Sequence, residues 1–169
     1  VLDGAVVPEA SAAFRAVGGY DESFSHNEDA ELDHRLIGNG ARILLAGDIV
    51  VDYYPRATLR GLWRQYYMFG RGRAKTVAKH QIPLKPRQLA PALIAPSALL
   101  ALAAPLWPPA AAPFALYLAL CLGLGALLGF RQGSVCAGAA GAPAATMHLA
   151  WSCGFWRQVL AAGAAHWRK

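Results

Sequence analysis

No acidic residue follows Asp52 in a chain that runs on to Lys169. All ten acids lie before residue 53, against three arginines, so residues 1–52 carry a net −7. Residues 53–169 hold thirteen Lys or Arg and no acid. A segment with charge of one sign cannot balance itself by internal salt bridges, and it points to a membrane or a polyanion as its partner. Between Pro91 and Phe130 there is no charged side chain of either sign, which is too apolar for a solvated surface. Cys121, Cys136 and Cys153 show no C-x-x-C spacing, which excludes a dithiol redox or zinc motif and leaves them as small apolar filler. The five histidines are scattered, and no P-loop or Ser/His/Asp pattern is present. The opening Val1-Leu2-Asp3-Gly4 has no methionine, basic stretch or apolar run, and reads as the middle of a domain; the chain is expected to be a piece of a longer one.

What is there falls into four parts. Residues 1–56 read as a piece of a soluble α/β domain, too small to be stable alone. Ala10–Val17 is a short helical stretch stopped by Gly18-Gly19, and Asn27 to about Gly38 is a helix. That second helix is entered through Ser25 with Glu28 at capping-box spacing, and Glu31 and Arg35 can pair at i, i+4. Arg42–Ala46 and Ile49–Tyr54, β-branched and apolar, read as two strands around Gly47-Asp48. In residues 57–88, Leu59, Leu62, Trp63, Tyr66 and Phe69 oppose Arg60, Arg64, Arg71 and Lys75, the pattern of a helix lying in a membrane interface, with a break expected near Phe69-Gly70. Residues 89–156 hold two apolar stretches long enough to cross a bilayer, 89–107 and 112–130, separated by Pro108-Pro109. A third, 133–151, is left open between a crossing, a re-entrant piece and a helix packed between others. Residues 157–169 form a basic tail. The six cations between Arg71 and Arg87 put that flank on the cytoplasmic side of the inner (plasma) membrane.

The chemistry-bearing residues centre on Glu28-Asp29-Ala30-Glu31-Leu32-Asp33. Asp29 sits in a first helical turn, where the helix dipole favours a carboxylate, and a positioned carboxylate is what a general base requires. On composition alone, acids in such a turn read first as solvated caps.

Phe14-Arg15-Ala16-Val17-Gly18-Gly19-Tyr20-Asp21-Glu22-Ser23-Phe24, followed by Asn27-Glu28-Asp29-Ala30-Glu31-Leu32-Asp33-His34-Arg35-Leu36, resembles the acceptor-side half of family 2 inverting glycosyltransferases, whose catalytic domain has the GT-A fold. Tyr53-Tyr54-Pro55-Arg56 and the run Arg64–Ala74 resemble the subgroup that builds exopolysaccharides such as succinoglycan, and the likeness covers about residues 10–90. It implies an α/β fold class, the C-terminal part of a GT-A domain, followed by the interfacial helix and two to three transmembrane helices. It also implies that Asp29 is the catalytic base, with Glu28 orienting the acceptor or supporting the loop. Gly18 and Gly19 would let the backbone pass close to the donor sugar, while Asp21 and Glu22 contact the acceptor or serve as structural hydrogen-bonding groups. Gln65, Arg71 and Arg73 are the nearest match to the Q-x-x-R-W element of processive synthases. Their spacing departs from it and no Trp follows, which favours single addition. Arg71 and Arg73 could equally serve anionic lipid head groups.

The implied substrates are a nucleotide-sugar donor, of the UDP-hexose type, and a polyprenyl-diphosphate-linked sugar acceptor. The implied cofactor is a divalent metal, Mg or Mn, held elsewhere in the parent enzyme, since no D-x-D occurs here and no metal site is expected in this chain. Without donor and metal sites the chain alone is expected to be inactive. The rival from another class is a non-catalytic module docking on anionic lipid or a partner subunit. A nucleic-acid partner is not expected, because charge-free stretches follow the basic one directly.

Overall fold

The computed structural model of the chain describes residues 6–44, 47 and 50–166, which fall into two compact units divided after Pro55. In the first unit, α1 (Val6–Ala16) ends in a Schellman turn: Gly19 N–H donates to the Phe14 carbonyl at 2.9 Å and Gly18 N–H to that of Arg15 at 3.0 Å. Gly18 sits at φ 82°, a conformation that costs a residue with a Cβ. The Phe14 ring packs edge-on against Tyr20, with centroids 5.4 Å apart. A turn at Asp21–Phe24 leads to α2 (Glu28–Gly38), which buries Glu31 and Leu32. The helix is entered from Asn27 in the left-handed region (φ 66°) with no side-chain cap bond, so the Ser25–Glu28 capping box is not made. It stops as α1 does: Ala41 N–H reaches the Leu36 carbonyl and Gly40 that of Ile37, both at 3.0 Å.

The α/β expectation is corrected here. Every regular element among the described residues is a helix, and residues 41–44 and 50–56 are irregular. Leu45, Ala46, Asp48 and Ile49, the remainder of the two expected strands and their turn, lie outside the described residues. The physical reason is visible in the exposure of Leu44, Val50, Val51 and Tyr54, all more than three-quarters open. β-branched and aromatic residues favour strands only where a neighbouring strand and a packed face receive them.

The second unit contains α3 (Leu59–His80), α4 (Pro86–Ala101), a 3₁₀ turn at Pro108–Ala111, α5 (Ala112–Gln132), the short α6 (Val135–Gly138) and α7 (Gly141–His166). Thr58 caps α3, its hydroxyl accepting from Gly61 N–H at 3.1 Å. The expected break at Gly70 does not occur: α3 runs unbroken, with Gly70, Gly72, Ala74 and Thr76 buried. Small residues there serve helix approach. A Cβ at Gly70 would fall on the Trp151 carbonyl, and one at Gly154 on that of Tyr67. Gly70-x₃-Ala74 and Ala150-x₃-Gly154 thus bring α3 and α7 into backbone contact, as small residues at this spacing do in membrane helices. Gly125 and Gly129 of α5 meet Gly138 and Gly141 in the same way.

α4 joins α7 through a different device. Pro96 has no N–H to give the Ala92 carbonyl four residues back. That carbonyl instead accepts from Ser152 Oγ at 3.0 Å and Trp156 Nε1 at 2.7 Å. Ser152 Oγ, fully buried, also accepts from Ala95 N–H at 2.9 Å.

Among the described residues, one helical stretch, Pro108–Gln132, is long and apolar enough to cross a membrane. Leu116, Leu120 and Leu124 on it are 63%, 56% and 60% exposed, so its apolar surface is not spent on the unit's own core. This suggests membrane association. α4 at 16 residues is about 24 Å long, short of a roughly 30 Å hydrocarbon core. The 133–151 stretch divides between α6 and the first part of α7.

Gly154→Ala is expected to force α3 from α7 and to cost at least about 1–3 kcal/mol. Gly163→Ala on the same helix, where a Cβ meets nothing within 4 Å, should be neutral or slightly stabilising. Thermal unfolding of the two variants in one detergent checks the contrast.

Candidate functional site

The first unit organises its chemistry around Arg35. Its Nε donates to both Glu31 oxygens, at 2.9 and 3.0 Å, and Nη2 adds a third bond to Oε2 at 2.7 Å. Glu31 is fully buried, so this ion pair is a desolvated one with its lone pairs occupied. The same guanidinium reaches out of the helix: Nη1 donates to the Val17 carbonyl at 2.5 Å and Nη2 to that of Gly19 at 2.7 Å. Arg35 therefore ties α2 to the Gly18-Gly19 turn. The i, i+4 spacing foretold the pair with Glu31. The reach to the turn, 16 and 18 residues away, left no local signal.

Around that clamp the candidate residues take distinct positions. Asp21 accepts from Ser23 N–H at 2.8 Å through Oδ1, which also takes the Ser23 hydroxyl, and this local turn orders the approach to buried Phe24. Glu22 is exposed. Asp29 is exposed in the first turn of α2, its Oδ1 accepting from Ala30 N–H at 2.7 Å. Glu28 is half-buried, and its Oε2 is enclosed without a hydrogen-bond partner. A buried carboxylate oxygen left unpaired is costly, and such an atom calls for a donor from outside the fold. One free carboxylate facing solvent beside one with an unmet acceptor suits proton abstraction and hydroxyl binding respectively. Gly18 and Gly19 carry their positive φ in the clamped turn.

The remaining candidates belong to the second unit. Gln65 is half-buried on α3. Arg71 and Arg73 point to different sides, as residues two apart on a helix must. Arg71 is exposed, with Nη1 3.9 Å from the Met68 sulfur. Arg73 turns toward the start of α4, where Nη2 donates to Gln88 Oε1 at 3.2 Å while Nε is buried with no partner. Gln88 Oε1 also accepts from Lys85 N–H at 3.0 Å. Burial, and then the charge of Arg87, lower the Arg73 pKa below the usual arginine value, although a guanidinium stays protonated. Arg87 and Gln88 were not foreseen as functional, and a basic residue just inside a helix start was the available signal.

No group of three or more His, Cys, Asp or Glu converges as metal ligands among the described residues. The acids among the described residues do not fit a divalent metal.

Compared with known proteins, the chain is similar to the succinoglycan biosynthesis protein ExoA of Rhizobium meliloti (strain 1021), with 49% identity over 148 residues, 88% of this chain and 45% of that protein. It is also similar to the pre-mycofactocin glycosyltransferase of Mycobacterium tuberculosis, in strains CDC 1551 / Oshkosh and H37Rv, with 34% identity over 91 residues, 54% of this chain and 18% of that protein. The chain thus spans less than half the length of the curated relatives it matches. No family model matches it, and no solved structure matches it significantly. The likeness read from residues 14–36 and 64–74 is borne out: one relative is named for succinoglycan biosynthesis and another as a glycosyltransferase.

Arg35→Ala removes the guanidinium that pairs with the buried Glu31 carboxylate and frees the Gly-Gly turn. A loss of about 3–5 kcal/mol is expected. Hydrogen exchange should show it as protection lost across residues 14–38, with α3 and α7 unchanged. The double variant Glu31→Leu/Arg35→Met should recover only part, because the bonds to Val17 and Gly19 stay broken.

Proposed function

We propose, from the likeness to proteins of exopolysaccharide and glycosyl transfer, that this chain supplies the catalytic base and the membrane contact of a glycosyltransferase. The enzyme moves a sugar from a nucleotide-sugar donor, of the UDP-hexose type, to a polyprenyl-diphosphate-linked acceptor in exopolysaccharide biosynthesis. Catalysis takes place at the cytoplasmic face of the inner membrane, and the donor is held by residues outside this sequence. The observation that carries the reading is the placing of Asp29: exposed at the start of a helix whose third turn is locked by Arg35 to the Gly18-Gly19 turn.

In this reading the acceptor hydroxyl lies against Asp29. The carboxylate takes its proton as the oxygen attacks the anomeric carbon, the new glycosidic C–O bond forms, and the bond from that carbon to the nucleoside diphosphate breaks. A single displacement of this kind inverts the anomeric centre. The open acceptor atom, Glu28 Oε2, binds a further hydroxyl of the acceptor. Asp21 and Glu22 border the acceptor, and the Gly18-Gly19 turn lets the donor sugar approach the backbone. A divalent metal, Mg or Mn, would neutralise the leaving diphosphate from ligands elsewhere in the protein. Arg71 and Arg73 face different sides of α3 and do not form a joint cradle, in keeping with one sugar added rather than a polymer threaded. The exposed leucines of α5 support insertion in the membrane.

Asp29→Asn in the longer protein that carries this sequence should lower sugar transfer to a lipid acceptor about 10²–10⁴-fold. Membrane fractionation should be unchanged, since Asp29 is outside the apolar helices. Transfer of radiolabelled sugar into the lipid fraction measures it. An undiminished rate with normal membrane association would favour a purely membrane-docking chain instead.

A further inference from the structure

α4 carries two features that no part of the transfer chemistry above uses, and they share one side of the helix. At its start stands Arg87, next to Gln88, whose Oε1 accepts from Arg73 Nη2 of α3 at 3.2 Å, and Arg73 keeps a buried Nε without a partner. No carboxylate side chain exists anywhere in residues 53–169 to neutralise the pair. Two guanidinium groups held near one another, one with an unmet buried donor, are matched by an oxyanion with several acceptor atoms. Further along, α4, α5 and α7 border an open cavity of about 380 Å³, within the size range of small-ligand pockets. Ala90, Pro91, Leu93, Ile94 and Ser97 line it from α4. Residues 87, 90, 91 and 94 are related by helical i, i+3, i+4 and i+7 spacing, so the cavity opens on the helix side that begins with Arg87.

Most of the polar atoms bordering the cavity are engaged within the fold. Ser97 Oγ donates to the Ile94 carbonyl at 2.8 Å. The Tyr117 hydroxyl lies 3.2 Å from His148 Nδ1 and 3.5 Å from the Ala145 carbonyl. With these groups bonded to one another or to backbone, and the rest of the lining alanine, proline, leucine and isoleucine, the cavity offers a guest a mostly apolar surface. A polar guest would lose its water without recompense, whereas an aliphatic chain gains by leaving water.

We infer that α4 is a binding slot for a single-chain lipid with a phosphate-type head, the head on Arg73 and Arg87 and the first part of the chain in the cavity beneath Pro91 and Ile94. This deepens the proposed function, on whose lipid acceptor it rests, by assigning the residues that hold the carrier. A two-chain bulk phospholipid is the poorer guest, because one cavity serves one chain.

The test uses the full chain in nanodiscs of neutral phosphatidylcholine, with farnesyl diphosphate, farnesol and inorganic diphosphate as probes in equilibrium binding. Farnesyl diphosphate should bind at least tenfold more tightly than either of the others. Arg87→Gln, at an exposed position, should weaken farnesyl diphosphate tenfold or more and leave farnesol unchanged. Ala90→Phe, exposed and lining the cavity, should weaken farnesyl diphosphate and leave inorganic diphosphate unchanged. Equal binding of farnesyl and inorganic diphosphate would remove the cavity from the site. An Arg87→Gln chain that binds as well as the parent would remove the head. Competition by phosphatidylglycerol at the same concentration as the probe would make bulk lipid the ligand and overturn the inference. Failure here with Asp29→Asn still abolishing transfer sinks the slot alone. Binding as expected with Asp29→Asn fully active sinks the transferase reading alone.

Discussion

Close backbone approach along α7 sets the arrangement of residues 56–169. α3, α4 and α5 each pack on that helix, and each does so where side chains have been reduced to almost nothing. Gly154 admits α3, Gly141 admits α5, and Ser152 replaces a missing backbone donor on α4. In an apolar environment there is little hydrophobic force to press helices together, so dispersion at short range and satisfied polar groups must do so. The Pro96–Ser152–Trp156 arrangement shows the second requirement. A proline frees a carbonyl that lipid could not solvate, and two side chains of α7 take it up. The cavity between α4, α5 and α7 lies among these same helices, bordered by residues near the proline positions.

The first unit solves another problem with one side chain. It has few buried apolar residues, Phe24 and Leu32 among them, and cannot be held by packing alone. Arg35 supplies five hydrogen bonds that join a helix to a turn in which both glycines have positive φ. Each partner alone would be a liability: a buried Glu31 without Arg35, or turn carbonyls without a donor. Together they fix α2 to the turn and leave Asp29 exposed, outside the bonded cluster.

Much of this was legible in local spacing. The Gly18-Gly19 stop, the extent of α2, the Glu31–Arg35 pair and the second apolar stretch all follow from residues within one or two turns of each other. The failures share the opposite property. Val50, Val51, Tyr53 and Tyr54 have strand propensity, but propensity speaks only once a neighbouring strand exists to pair with, and these residues lie exposed and irregular. Ser25 and Glu28 have capping-box spacing, yet Asn27 takes the entry position in the left-handed region. Gly70 reads as a helix break until α7, some 80 residues on, is known to press against it. A glycine that weakens a helix in isolation is the residue that permits its closest neighbour. The proline-freed carbonyl of Ala92 and its donor Ser152 are 60 positions apart, beyond any periodic pattern.

The distribution of charge links these two levels. Acids are confined to the unit that carries the candidate base, and cations dominate the unit with the apolar helices. Had a single aspartate stood near Arg73 or Arg87, the pair would have closed on itself as Arg35 and Glu31 do. Residues 53–169 hold none, so the positive charge at the start of α4 has no acid of its own unit to meet it, and its position at the end of an apolar cavity restricts what can. Bulk water answers the charge but not the cavity, and a neutral hydrocarbon answers the cavity but not the charge. A molecule that answers both has an anionic head and an apolar chain in one covalent piece.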